Sequence, residues 1–223
     1  MRFCLTRSLS AACGCIVFSE FIKPGMLVFD VGANAGYFAR ECVTLGATVV
    51  SVEPDRVHID ALNIPGVTPV IAAVSSAPGT AEFYVSHNSK WSSLHPEWVT
   101  GHYGKPEPDT IRVEVITLDM LIAEFGEPDF LKIDTEGNEA AVLRGLSHRV
   151  PALSFEYHGG AYPIKLDNDP VYDCVTMLPG YEFRAAQHET QWVTDWVDGG
   201  TLLATMRELT WGDVYARDTR VLP

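Results

Sequence analysis

The segment Val28–Phe38, VFDVGANAGYF, carries an apolar strand into Asp30 and then through a turn of small residues into a helix. Glycine in such a turn adopts positive φ without penalty and lets the backbone come close to a ligand, its N–H groups among the contacts. Seventeen residues after Gly36, Glu53 closes a second apolar strand, VVSVEP. An acid at that position can accept hydrogen bonds from two ribose hydroxyls. The pair reads as a nucleoside-cofactor site at the C-terminal edge of an α/β sheet; the bland alternative is an ordinary turn that needs glycine for its backbone angles.

The order of small residues decides which cofactor fits. Dinucleotide folds use G-x-G-x-x-G, in which the second glycine admits a pyrophosphate. Here the order is Gly32-Ala33-Asn34-Ala35-Gly36, directly after Asp30-Val31. A carboxylate before the turn repels phosphate and holds an ammonium group. The ligand expected is therefore an amino acid joined to a nucleoside, S-adenosylmethionine (SAM). An NAD-dependent oxidoreductase is the weakest of the readings.

A chain of 223 residues suits one α/β domain covering 1–223. The net charge of −13 disfavours a nucleic-acid substrate, which needs Lys and Arg against phosphates, and equally an anionic membrane. Cys4, Cys13, Cys15, Cys42 and Cys174 form an odd set without metal spacing, as in a cytoplasmic protein with reduced thiols. Met1–Phe18 is apolar, but Arg7 interrupts it. Residues 1–25 are therefore read as a lid or packing segment before the first strand, ahead of an export signal. No apolar run approaches the ~20 residues of a membrane span.

Strand and helix patterns alternate, the mark of a mostly parallel sheet with helices on both faces. Strands are expected at Leu27–Val31, Thr48–Val52, Thr68–Val74, Ala81–Val85, Ile111–Ile116, Phe130–Ile133, Ala152–Tyr157, Tyr181–Ala185 and Val214–Ala216. Helices are expected over Gly36–Leu45, Arg56–Leu62, Thr117–Phe125, up to Leu146, and Pro170–Leu178. Residues 86–110 lose periodicity, and Trp91, Leu94, Trp98 and Tyr103 give that stretch anchors. It reads as a substrate-facing loop.

DVGANAG (Asp30–Gly36), EP (Glu53-Pro54), AAVSSAPGTAEF (Ala72–Phe83), SSL (Ser92–Leu94), TLD (Thr117–Asp119), LKIDTEGNEAAVLRG (Leu131–Gly145) and FEYH (Phe155–His158) together resemble the FkbM-type SAM-dependent methyltransferases. The resemblance implies a Rossmann-like sandwich with a seven-stranded sheet, one strand antiparallel. It implies methyl transfer to a hydroxyl, often on a sugar or natural-product scaffold. It further implies that Asp30 and Gly32, Ala33, Asn34 and Gly36 line the methionine end of SAM. Glu53, with Pro54 beside it, holds the ribose; Ala73, Val74 and Ser75 border the adenine; Asp134 adjoins the cofactor. The stretch between Asn63 and Val67 is abbreviated, as is the chain before the first strand. Those shortenings leave room for a second subunit to complete a wall in a homo-oligomer.

An alcohol needs a general base at neutral pH. The candidates at strand ends are His158, Asp134 and Glu136, with His87 and His95 as weaker options. Asp134, Glu136 and Glu139 also offer hard oxygens for a divalent ion such as magnesium, although acids in the first turn of a helix equally cap its free N–H groups. The spacing is not diagnostic, and a metal-free base is the preferred reading. Trp91, Trp98, Tyr103, Tyr157 and Tyr162 offer stacking faces or lid anchors. The reading is an O-methyltransferase acting on a small-molecule or glycan hydroxyl; the alternatives are N- or C-methylation and a non-catalytic SAM-binding partner subunit.

Overall fold

The computed structural model describes residues 17–101, 108–158, 170–187, 189–206, 208–209 and 211–221. In chain order the strands are β1 Leu27–Val31, β2 Thr48–Val52, β3 Val67–Val70, β4 Ala73–Val74, β5 Gly79–Val85, β6 Asp109–Ile116, β7 Phe130–Ile133, β8 Ala152–His158, β9 Tyr181–Gln187, β10 Gln191–Trp192 and β11 Trp211–Asp218. The helices are α1 Tyr37–Thr44, α2 Pro96–Gly101, α3 Leu118–Phe125, α4 Glu139–Arg144, α5 Pro170–Thr176 and α6 Gly199–Met206.

The large sheet runs β10-β9-β11-β8-β7-β1-β2-β3. Pairings from β8 through β3 are parallel, whereas β11 is antiparallel to both β8 and β9. The seven strands expected are present, and two-residue β10 extends them as an antiparallel eighth. Successive strands are added on one side of β1 as far as β3 and then on the other from β7. Open α/β sheets hold ligands in the crevice at such a reversal, beyond the strand C-termini.

Alternating side chains along each strand feed two apolar layers. Phe29, Val31, Leu131, Ile133, Leu153 and Phe155 pack under α3, α4, α5 and α6. On the other face Val28, Val49, Phe130 and Tyr215 meet Phe38, Ala39 and Cys42 of α1 and the 3-10 turn Val17–Glu20. Phe21 stacks on Tyr215 at 5.2 Å, so the described part of the N-terminal segment is packed on the sheet. Thr117 caps α3, its hydroxyl accepting from the Met120 N–H, as the sequence predicts.

Thr68–Val74, read as one strand, divides. Val67–Val70 joins the large sheet, and Ala73–Val74 pairs with β6 in a second sheet ordered β4-β6-β5. A break of this kind depends on which partner is in reach, not on local periodicity. The 86–110 segment is more regular than expected, containing a 3-10 turn at Ser89–Trp91, α2, and the start of β6. Among the described residues no helix is long and apolar enough to cross a membrane.

Candidate active site

The crevice at β1 opens into a cavity of about 660 Å³. Its wall includes Asp30, Gly32, Ala33, Asn34, Glu53, Pro54, Ala73, Val74, Asp134 and Glu136. Asp30 and Glu53 therefore share one cavity. Gly36 and Ser75 are not in the described wall. Gly36 caps α1 at φ 73°, where a Cβ would meet the Leu62 side chain at 2.8 Å, and the Ser75 N–H donates to the Ile116 carbonyl.

Gly32 has no room for a side chain unless backbone moves. At φ 84° any Cβ would sit 1.7 Å from the Asp134 carbonyl oxygen, so the turn after β1 and the end of β7 touch backbone to backbone. The N–H groups of Gly32 and Ala33 donate to the Val52 carbonyl, Asn34 to Glu53 Oε2, Ala35 to Asn34 Oδ1, and Gly36 to the Ala33 carbonyl. This corrects the expectation that turn N–H groups contact the ligand. With all five engaged, the turn is no anion cradle, and a pyrophosphate finds no donors there.

Polar groups form a row across the sheet, one same-face step beyond the apolar layer. Register sets Asp30 between Ser51 and Lys132, Lys132 beside Ser154, and Asp213 opposite Glu156. Asp30 is 1% exposed; its Oδ2 accepts from Ser51 at 3.5 Å, while Oδ1 has no partner among the described residues. Burial, opposed by Lys132, pushes Asp30 up to about 6. Glu53 holds the Asn34 and Asp55 N–H groups at 2.8 and 2.9 Å, yet burial pushes it to about 7. Lys132 donates to Asp134 Oδ2 at 2.6 Å. Burial opposes its charge, but Asp134, Asp30 and Glu189 hold it above the ordinary lysine range.

Three carboxylates, Asp134, Glu136 and Glu156, bring oxygens within 4.8 Å of one another. Each is gripped by a nitrogen donor: Lys132 on Asp134, Trp98 Nε1 on Glu136 at 2.8 Å, and Trp211 Nε1 on Glu156 at 2.6 Å. Glu136 rises to about 9 through burial, then through Asp134. Glu139 is not the third member of this face. It begins α4 and accepts from the Thr135 and Gly137 N–H groups and the Thr135 hydroxyl, serving the loop rather than the cavity. Glu136 lies before the helix at φ 54°, outside the first-turn position expected for it.

Among the described residues three non-glycines adopt left-handed φ: Asn34, Glu136 and Glu189. All three line the cavity, the kind of location where backbone strain collects at binding sites. The 86–101 segment is tied over this floor. Ser93 Oγ donates to the Glu136 carbonyl at 2.7 Å, His95 bonds Asn138 at 3.3 Å, and the Trp98 ring lies against Gly137. His95 is thereby a tether. Of the expected aromatics, Trp91 lines the cavity, Trp98 clips Glu136, and Tyr157 is core. Tyr103, Tyr162, Cys4, Cys13 and Cys15 lie outside the described residues, and so does the side chain of His158, whose backbone pairs with Trp211.

Lys132, Glu156, Glu189, Trp211 and Asp213 line the cavity and were not singled out from the sequence. One signal existed: Lys132 interrupts an otherwise apolar, fully buried strand, a position lysine almost never takes unpaired.

The strand order with antiparallel β11 and the crevice at β1 define a Rossmann-like methyltransferase sandwich. The chain belongs to the FkbM methyltransferase family, matching the methyltransferase FkbM domain over residues 30–193. Hexuronic acid methyltransferase AglP of Haloferax volcanii is 29% identical over 148 residues, 61% of this chain; the match spans only 58% of that protein. The precorrin-6y C5,15-methyltransferase of Geobacter metallireducens superposes with a TM-score of 0.46 at 12% identity, covering 92% of this chain and 86% of that one. A TehB-like SAM-dependent methyltransferase of Corynebacterium glutamicum gives 0.45 at 11%, over 90% and 85%. Scores of this size carry nothing about chemistry.

Proposed function

We propose that the protein is a SAM-dependent O-methyltransferase acting on a hydroxyl of a sugar or similar small molecule. The observation that carries this reading is that Asp30 and Glu53 share one cavity across a turn whose donors are all engaged. The residues fit the cofactor. The unpartnered, buried oxygen of Asp30 calls for a cationic donor such as an ammonium group, and Glu53 retains lone pairs for ribose hydroxyls. The volume lies within the ~300–1,000 Å³ usual for small-ligand sites. When bound, SAM supplies an electrophilic methyl group on a sulfonium.

The chain's part is to hold the acceptor oxygen in line and take its proton. Alignment can contribute ~7–11 kcal/mol. Asp134 is the base of this reading. Its Oδ2 is fixed by Lys132, it lines the cavity where the β1 turn meets β7, and Glu136, pushed to about 9, is protonated at neutral pH. The sugar acceptor draws support from AglP, named for hexuronic acid. Labelled methyl transfer from SAM to a panel of alcohols, with NMR of the product, tests the reading. Asp134→Asn should lower kcat by ~10²–10⁴ while S-adenosylhomocysteine binding stays within a few-fold. Product methylated at nitrogen or carbon, or full activity in Asp134→Asn, contradicts it.

A further inference from the structure

SAM carries two opposite charges at its amino-acid end, an ammonium group and a carboxylate. Asp30 answers the first. The second needs a cation or free N–H donors, and all five N–H groups of the turn after β1 are engaged within the protein. Over the described cavity wall, seven carboxyl groups face two ammonium groups, Lys90 and Lys132. Lys132 is 6% exposed and donates to Asp134 at 2.6 Å, so its charge is already met. Lys90 is exposed, lines the same cavity, and is ion-paired with no carboxylate among the described residues.

The turn that carries Lys90 is fixed at the cavity rim. Tyr84 and Ser93 exchange N–H to carbonyl bonds at 2.8 and 3.1 Å, the Ser86 N–H donates to Ser92 Oγ at 3.0 Å, and Ser93 Oγ is anchored on the Glu136 carbonyl. Between those ties Asn88 caps the 3-10 turn Ser89–Trp91, its Oδ1 accepting from the Lys90 N–H at 3.3 Å. Glu189 shows which end of the cavity Lys90 faces. Burial raises this carboxyl, and Lys132 and Lys90 are the cations that oppose the rise; Glu189 in turn acts on Asp30. Lys90 therefore lies toward the Asp30 end. We infer, resting on the cofactor reading above, that Lys90 is the counter-ion of the carboxylate of SAM. Without it, that carboxylate would stand among acids with no cation of its own, which disfavours binding. The site is thereby selective for the zwitterion: an adenosyl thioether that lacks the carboxylate gains nothing from Lys90.

The experiment is a calorimetric cycle on the full chain with two ligands, S-adenosylhomocysteine and its decarboxylated counterpart, the aminopropyl thioether of adenosine, which keeps the ammonium group. Lys90→Met should lose about tenfold in affinity for S-adenosylhomocysteine and less than about twofold for the amine. Lys90→Arg keeps the charge and should stay within about threefold of the wild type on both ligands. Equal losses on the two ligands would make Lys90 a structural residue, and an unchanged affinity for S-adenosylhomocysteine would put its carboxylate elsewhere, as on Lys132. Either result overturns the inference. Wild-type protein that binds neither ligand overturns the cofactor reading itself, so the two failures are told apart.

Discussion

Asp30 and Glu53 are acids that burial pushes toward neutrality, to about 6 and about 7, so each binds a cationic or donor-rich ligand better when ionised. S-Adenosylhomocysteine affinity should therefore weaken as pH falls through about 7 and then about 6, and Asp30→Asn should bind more weakly with the lower step removed. Titrations at several pH values check this; an affinity flat from about pH 5 to 8 contradicts it. The sequence supplied these two acids because each closes an apolar strand beside a glycine turn or a proline. Glu156, Glu189 and Asp213 gave no such sign. They reach the cavity through register between β8 and β11 and through the turn after β9, relations made by pairing across dozens of residues.

The joint between β1 and β7 is the element on which the site's geometry depends. Gly32 lies against the Asp134 carbonyl, and the Asp134 N–H returns to the Val31 carbonyl at 2.9 Å. Gly32→Ala should destabilise the fold by about 3 kcal/mol, because backbone, not a flexible side chain, must move. Thermal unfolding reads this, and an unchanged midpoint would show that the two backbones are not in contact. β1, β2, β7 and the helix bounds near them were legible, since strong periodicity, glycine caps and Thr117 all agree. α6 and most of β11 were not. Trp211, Gly212, Asp213 and Arg217 break the apolar run, and only pairing on both sides makes them a central strand.

Over the whole molecule, a charge of −13 and a cavity crowded with acids act in the same direction. Asp30, Glu53 and Glu136 rise from 3.8, 4.5 and 4.5 to about 6, 7 and 9. Folding raises their proton affinity, so their contribution to stability is fully present below about pH 4 and is lost as pH climbs through those higher values. The unfolding midpoint of the ligand-free protein should fall between about pH 5 and pH 9, and Glu136→Gln should flatten the upper part of that slope. A midpoint that rises with pH contradicts the burial of these acids.

The central claim, that two acids on successive strands grip opposite ends of one adenosyl amino acid, is tested most directly by calorimetric titration with S-adenosylhomocysteine. Wild-type protein should bind one equivalent per chain. Asp30→Asn and Glu53→Gln should each lose about tenfold or more in affinity. No binding by the wild type, or affinity untouched in both variants, would contradict the account.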